Sequence, residues 1–219
     1  MIKVRYSRIR LPVSISRLAS LAREWKPTED RRLRISRAKD DELVLNLTSA
    51  RLIRVTDLVN DEPVSKMVPT MEQHSFRLFA GKSGLYLSLL NPGRGSGVVN
   101  EVLEALLAGQ HYAIEPLEIG SELIARHTRK FLSARLVSAK VRDFKVYDNA
   151  VGRLEITSKS GLPDEIAPFL AGKFHRIDAL TYEVTQDFTT GLIWYSSGGT
   201  VRVSGPLVSQ AFPLFEEEL

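Results

Sequence analysis

The segment with the clearest potential for chemistry is a glycine-rich run between a predicted strand and a predicted helix. It reads Asn91-Pro92-Gly93-Arg94-Gly95-Ser96-Gly97. Glycines at alternate positions let the backbone approach a ligand closely, and free N–H groups at a helix start favour an anion. The run matches neither the Walker pattern nor G-x-G-x-x-G, so a flexible connection is the alternative. The predicted anion-binding residues are Gly93, Arg94, Gly95 and Gly97.

Basic residues are concentrated in two parts of the chain. Residues 1–54 carry 14 Lys and Arg against 6 Asp and Glu, and residues 120–176 carry 11 against 6. Arg outnumbers Lys in the first part, and its planar guanidinium suits phosphate recognition. These segments predict contact with nucleic-acid phosphates. The predicted nucleic-acid-binding residues are Arg5, Arg8, Arg10, Arg31, Arg32, Arg34, Arg37, Lys39, Arg126, Arg129, Lys130 and Arg142.

Acidic segments alternate with these basic ones. Residues 55–119 carry 4 Lys and Arg against 8 Asp and Glu, and residues 177–219 carry 1 against 6, so the net charge of the chain is only +4. The basic segments can therefore neutralise acidic ones inside the fold. The same alternation supports a second function, an assembly or scaffold subunit. Its acidic and basic faces would bind a protein partner or a second copy of the chain.

Little in the sequence points to catalysis. The chain has four His and no Cys, which excludes disulfides and thiolate metal sites. No set of Asp, Glu and His has metal-ligand spacing, and no Gly-x-Ser-x-Gly motif occurs. We predict no catalytic residue, no metal and no cofactor, and a non-enzymatic binding protein. An unrecognised nuclease or nucleotide-processing enzyme is the third interpretation.

Membrane association is not predicted. No apolar run approaches the roughly 20 residues that span a bilayer. The first residues, Met1 to Tyr6, alternate apolar and basic side chains and lack the apolar core of a signal peptide. We therefore expect a cytoplasmic protein with no membrane partner.

Two stretches of the chain share an ordered series of similar residues. Phe76-Arg77-Leu78-Phe79 is echoed by Phe144-Lys145-Val146-Tyr147, and Leu-Ala-Gly recurs at 107–109 and 170–172. This collinear order predicts an internal duplication of a ββαβ-type module. Residues 57–73, which contain two prolines and little periodicity, are predicted to form a loop inserted in the first module.

The elements expected around these modules complete the predicted fold. Alternating residues from Ile2 to Leu11 indicate a strand, and the spacing from Ile15 to Trp25 indicates a helix with Ser14 as its N-cap. Gly109 is expected to end a later helix with positive φ. The prediction is an α+β fold with mostly antiparallel sheets, an N-terminal β-α-β extension and two ββαβ-type modules. The domains would be 1–119, including the extension and the first module, and 120–219, including a C-terminal hairpin and an acidic tail.

Overall fold

Antiparallel strands make up most of the structure. The computed structural model describes residues 1–59, 62–93, 97–147, 150–158, 161–162 and 175–219. The strands are β1 (Ile2–Arg10), β2 (Arg31–Ala38), β3 (Glu42–Val59), β4 (Glu62–Gly81), β5 (Gly84–Leu90), β6 (Ala113–Pro116), β7 (Ser133–Tyr147), β8 (Ala150–Thr157), β9 (Arg176–Gln186), β10 (Thr189–Ser196) and β11 (Thr200–Val203). The helices are α1 (Ile15–Arg23), α2 (Gly97–Leu107), α3 (Ser121–Thr128) and α4 (Val208–Glu216). The predicted α+β class with mostly antiparallel strands is confirmed.

The chain forms two compact units that interleave in sequence. The first unit contains Met1–Ile9, Gly81–Asn91 and Ile114–Leu219, and the second contains Arg10–Ala80 and Pro92–Ala113. Segments far apart in sequence therefore share one unit. The sequence-based domain boundary after residue 119 stays a prediction.

The first unit is built on a sheet with strand order β5-β1-β11-β10-β9-β7-β8, and β6 also pairs with β1. Period-2 alternation along β1 and β11 directs one set of side chains into the core. That set includes Tyr6, Val201 and Val203, all buried. Phe215 of α4 packs against Tyr6 with 5.0 Å between ring centroids. Helix α4 is therefore held to this face of the sheet by aromatic packing.

A buried histidine ties α3 to the same core. The side chain of His127 is fully buried, its Nδ1 lies 2.7 Å from the Tyr195 hydroxyl, and its Nε2 lies 3.0 Å from the Ala211 carbonyl oxygen. A carbonyl can only accept, so Nε2–H donates to Ala211 and Nδ1 accepts from Tyr195. Burial is the main reason that the pKa of His127 is lowered to about 4. The imidazole is a neutral, fully hydrogen-bonded part of the core.

The second unit consists of strands in the order β2-β3-β4 with α1 and α2. Leucines at alternate positions of β3 are buried, as are Leu18 of α1 and Leu103 of α2. The β3 residues concerned are Leu43, Leu45 and Leu47. Ser14 caps α1 by accepting a hydrogen bond from the Arg17 N–H at 3.1 Å, as predicted. Gly109, after the end of α2, has φ +83°, which confirms the predicted helix stop.

The prediction of a loop at residues 57–73 is wrong. Strand β3 pairs with β4 without interruption from Glu42, opposite Phe79, to Val59, opposite Glu62. Pro63 and Pro69 lie within β4 because their positions need no N–H for the ladder. Ala50 N donates outward to Asp30 O at 2.8 Å, so the even residues of β3 direct their backbone groups away from β4. The prolines are opposite such even residues, and proline is tolerated at an outward-facing edge.

The predicted duplication is not confirmed. In the first series β4, β5, α2 and β6 follow one another, but β6 pairs with β1. In the second series β9 pairs with β7. Residues 163–174, which include the second Leu-Ala-Gly at 170–172, lie outside the described residues. The strand pairing therefore differs between the two series despite their similar residues.

Candidate nucleic-acid interface

Three cationic side chains lie side by side on the sheet face of the first unit that is opposite its aromatic core. In β1, Val4 and Tyr6 are buried, so Lys3 and Arg5 project from the other face. In β11, Arg202 lies between the buried Val201 and Val203 and directly opposite Lys3. Cross-strand partners share a face, so the three side chains form one patch. We refer to Lys3, Arg5 and Arg202 as the basic cluster.

Trp194 extends the row of the basic cluster by one strand. It is the cross-strand partner of Arg202, and the Arg202 Cζ lies 4.4 Å from the centroid of its ring. The Arg202 Nε is buried and has no hydrogen-bond partner. Both residues are partly buried. Stacking on the indole fixes the plane of the guanidinium and leaves donors of that guanidinium available to an acceptor.

The basic cluster has an uncompensated positive charge. In the described part of the chain, no carboxylate forms an ion pair with any of its three residues. Burial and then the neighbouring Arg5 and Arg202 charges lower the pKa of Lys3. Like charges held together without a counterion are a common mark of an anion-binding site.

Two cations on strand β7 of the same sheet are neutralised. Arg135 in β7 pairs with Glu183 in β9 at 2.6 Å, and Lys140 in β7 pairs with Glu155 in β8 at 3.0 Å. These pairs are partly exposed, so they add little to stability, but they cancel the charge locally. Arg135 and Lys140 therefore add no net positive charge to the sheet, in contrast to the basic cluster.

Two of the predicted residues near the end of α3 are held by acidic side chains. Arg126 contacts Glu122 at 2.8 Å and Glu218 at 3.1 Å, and Lys130 contacts Glu217 at 2.6 Å and Glu218 at 2.9 Å. Hydrogen bonds to Glu217 and Glu218 raise the pKa of Lys130, and the hydrogen bond from Lys130 lowers the pKa of Glu218. The acidic tail of the sequence thus neutralises part of the predicted basic face.

The remaining predicted residues of the first unit lie apart from the basic cluster. Arg129 is exposed at the C-cap of α3. Arg8 is exposed and lines a cleft of about 240 Å³ that also contains Glu118 and Glu218. Arg142 lines a second cleft, of about 540 Å³, near the start of α3, and its Nε lies 3.8 Å from Asp178.

The predicted residues of the second unit are exposed, and some are paired. Arg31 contacts Glu101 at 2.9 Å, and Arg37 contacts Glu42 at 3.3 Å. Burial would raise the pKa of Glu42, but the Arg77 and Arg37 guanidiniums outweigh it and lower that pKa. The other predicted residues with exposed side chains in this unit are Arg10, Arg32, Arg34 and Lys39. Arg32 and Arg34 share one face of β2, opposite Thr48 and Asn46.

Part of the predicted anion-binding loop can be located. Gly93 is exposed, and Gly97 is the first residue of α2. Arg94 and Gly95 lie outside the described residues. The loop stays a prediction.

Sequence reasoning identified Arg5 and missed the other members of the site. Lys3 has the same alternation phase as Arg5, so the strand pattern could have revealed it. Arg202 is the only basic residue in the acidic segment 177–219. Because the net charge of that segment is negative, nothing in the sequence indicated a phosphate contact there. Trp194 could be placed in a hairpin, but only the β10–β11 register brings its ring against Arg202.

No protein-family model and no curated protein matches this chain. Among the described residues, none of the helices is long and apolar enough to cross a membrane. Nor do three or more Asp, Glu and His side chains in those residues come together as metal ligands would.

Proposed function

We propose that this chain is a non-catalytic protein that binds single-stranded nucleic acid through the basic cluster and Trp194. The single observation that carries the proposal is the row formed by Lys3, Arg202 and Trp194 across β1, β11 and β10. Lys and Arg side chains that lack carboxylate partners gain free energy when they replace the counterions of phosphates. An indole beside them offers a surface on which a base can stack.

The geometry favours single strands over duplexes. Base stacking on a side chain needs an unpaired, unstacked base, whereas a duplex exposes its bases only at groove edges. The cluster lies on a sheet face and not on a helix of the size that enters a major groove. Phosphates would contact Lys3, Arg5 and the free donors of Arg202, and a base would contact the indole.

Fluorescence anisotropy with labelled single-stranded DNA and RNA of about 12 nucleotides tests the proposal. We expect binding at about 50 mM salt that weakens steeply as salt rises, and weaker binding to a duplex of equal length. Arg202→Gln should weaken binding about tenfold. It should also reduce the slope of log affinity against log salt concentration by about one.

The matched control is Lys140→Gln, which removes the same charge from strand β7 of the same sheet, where Glu155 already neutralises it. It should bind as the unaltered chain does. Absence of binding at low salt, or an equal loss in both variants, would contradict the proposal.

A second function, an assembly subunit that associates with another copy of the chain, is favoured by a different observation. The β3–β4 hairpin continues beyond the end of β2 and exposes large apolar side chains there, including Leu52, Leu58 and Met67. Such surface is typical of an interface. The two functions are compatible because they use different units.

A further inference from the structure

The β3–β4 hairpin has a long segment with no neighbouring strand on the β3 side. Strand β2 pairs with β3 only as far as Arg31 opposite Ser49, and Ala50 N then donates to Asp30 O. From Arg51 to Val59, β3 has only β4 beside it among the strands of the described residues. A two-stranded ribbon with a free edge is marginally stable in water and invites pairing with another strand.

The two edges of this ribbon differ in their capacity to pair. Residues of β4 that direct their N–H outward lie opposite the even residues of β3, and two of them, Pro63 and Pro69, have no N–H. A ladder along β4 would therefore be interrupted twice. The β3 edge contains no proline, and its outward-facing residues each offer both an N–H and a C=O. Those residues are Leu52, Arg54, Thr56 and Leu58.

The same residues present an apolar, nearly uncharged surface. Leu52 is 60% exposed and Leu58 is 75% exposed, and Met67 and Met71 on the same face of β4 are also more than half exposed. Arg54 is the only charged residue on this face of the ribbon between positions 50 and 71 in its described residues. The opposite face carries the ion pairs Lys66–Asp57 and Arg51–Glu72.

We propose that two copies of the chain pair through the β3 edges, antiparallel about a two-fold axis at Val55. The free segment Arg51–Val59 is centred on Val55, so this register uses the whole free edge of both copies. It makes a four-stranded sheet from two hairpins and removes the open edge from each. The interface is isologous and closes as a dimer.

Side-chain pairing favours this register over one with the axis at Arg54. With Val55 on the axis, Leu52 lies opposite Leu58 of the second copy and Arg54 lies opposite Thr56. On the other face, Arg51 lies diagonally from Asp57 of the second copy, an attractive pair. Shifting the axis by one residue to Arg54 would place that arginine opposite its own copy, which is repulsive.

Proline substitutions at matched positions test which edge pairs. Thr56 and Ser65 are cross-strand partners, and both direct their N–H outward, Thr56 on β3 and Ser65 on β4. T56P and S65P each remove one outward donor and the same hydroxyl contact between Thr56 and Ser65. Neither removes a hydrogen bond of the hairpin, as Pro63 and Pro69 already demonstrate.

Sedimentation velocity should give a mass that rises towards twice the 24.5 kDa chain mass as concentration increases. We expect T56P to weaken the dimer at least about tenfold and S65P to leave it unchanged, since only one edge is used. A chain that stays monomeric up to about 100 µM would overturn the proposal. Equal weakening by T56P and S65P would overturn it as well.

Disulfide cross-linking tests the register without depending on proline. The chain has no Cys, so each variant carries one thiol. Val55→Cys places two thiols across the axis at a non-hydrogen-bonded pair, where Cα atoms are about 4.5 Å apart, within disulfide range. Val64→Cys places the thiol on β4, on the same face of the ribbon. We expect V55C, but not V64C, to oxidise rapidly to a covalent dimer. Equal cross-linking of V64C would contradict a two-fold axis at Val55.

Discussion

The first unit contains two groups of basic side chains whose surroundings differ. Lys3, Arg5 and Arg202 lie together without carboxylate partners in the described residues. Arg126 and Lys130 are each held by two glutamates. A cation is available to a phosphate only if its charge is not already cancelled. The difference shows that the number of basic residues in a segment is a poor guide to its free positive charge.

Removing each group in turn should give the largest contrast. The triple variant K3Q/R5Q/R202Q should bind single-stranded nucleic acid about a hundredfold or more weaker, because three phosphate contacts are lost. The double variant R126Q/K130Q should bind within about twofold of the unaltered chain, since those charges are already paired. Anisotropy titrations at several salt concentrations measure both. If both variants lose the same binding free energy per charge removed, only the net charge of the protein determines its affinity for nucleic acid.

Helix α3 should influence stability through His127. The pKa of this imidazole is about 4 in the folded chain, against an ordinary value of 6.5, so at intermediate pH the unfolded chain binds a proton that the folded chain does not. Stability from this group is complete above pH 6.5 and is lost as pH falls towards 4. Between pH 7 and 4.5 the free energy of unfolding should fall by about 2 to 3 kcal/mol.

Denaturant unfolding at several pH values checks this dependence. The variant H127Q should be less stable at neutral pH, because Gln cannot reproduce both hydrogen bonds in the same space. It should also lose most of the pH dependence between about 6.5 and 4.5. If the free energy of unfolding of H127Q depends on pH as steeply as that of the unaltered chain, the pH dependence comes from another titratable group.

Trp194 should contribute to binding in a way that salt does not alter. Trp194→Ala should weaken binding of single strands by about 1 to 3 kcal/mol, the usual contribution of one stacked base. The slope of affinity against salt should stay nearly constant, because no cation is removed. Trp194→Phe should recover part of the affinity. If W194A binds normally, the basic cluster acts without base stacking.

Releasing the paired cations near α3 should have the smallest effect. The variant E217Q/E218Q removes the carboxylates that hold Lys130, and one of those that hold Arg126. We expect about a two- to threefold increase in affinity at low salt that disappears at higher salt, because exposed charges are screened. The matched variant E183Q, which releases Arg135 on strand β7 of the same sheet, should show a gain of the same kind. A decrease in affinity would contradict the view that these ion pairs prevent the cations from binding phosphates.

Local patterns predicted much of the secondary structure. The Ser14 cap and the Gly109 stop depend on residues close in sequence. The error at residues 57–73 arose because proline was taken as a strand breaker. Its effect depends on whether the missing N–H faces a partner, and that is a property of the hairpin register.

The sequence by itself determined the α+β class, most strands and helices, and the positions of individual charges. It could not determine which charges are free. Arg202 follows Lys3 by nearly the whole chain, and only the pairing of β11 with β1 brings them together. The tail glutamates that hold Arg126 and Lys130 are likewise 92 and 87 residues away. Electrostatic interactions depend on distance in space, so the tertiary structure decided where this protein has positive charge to offer.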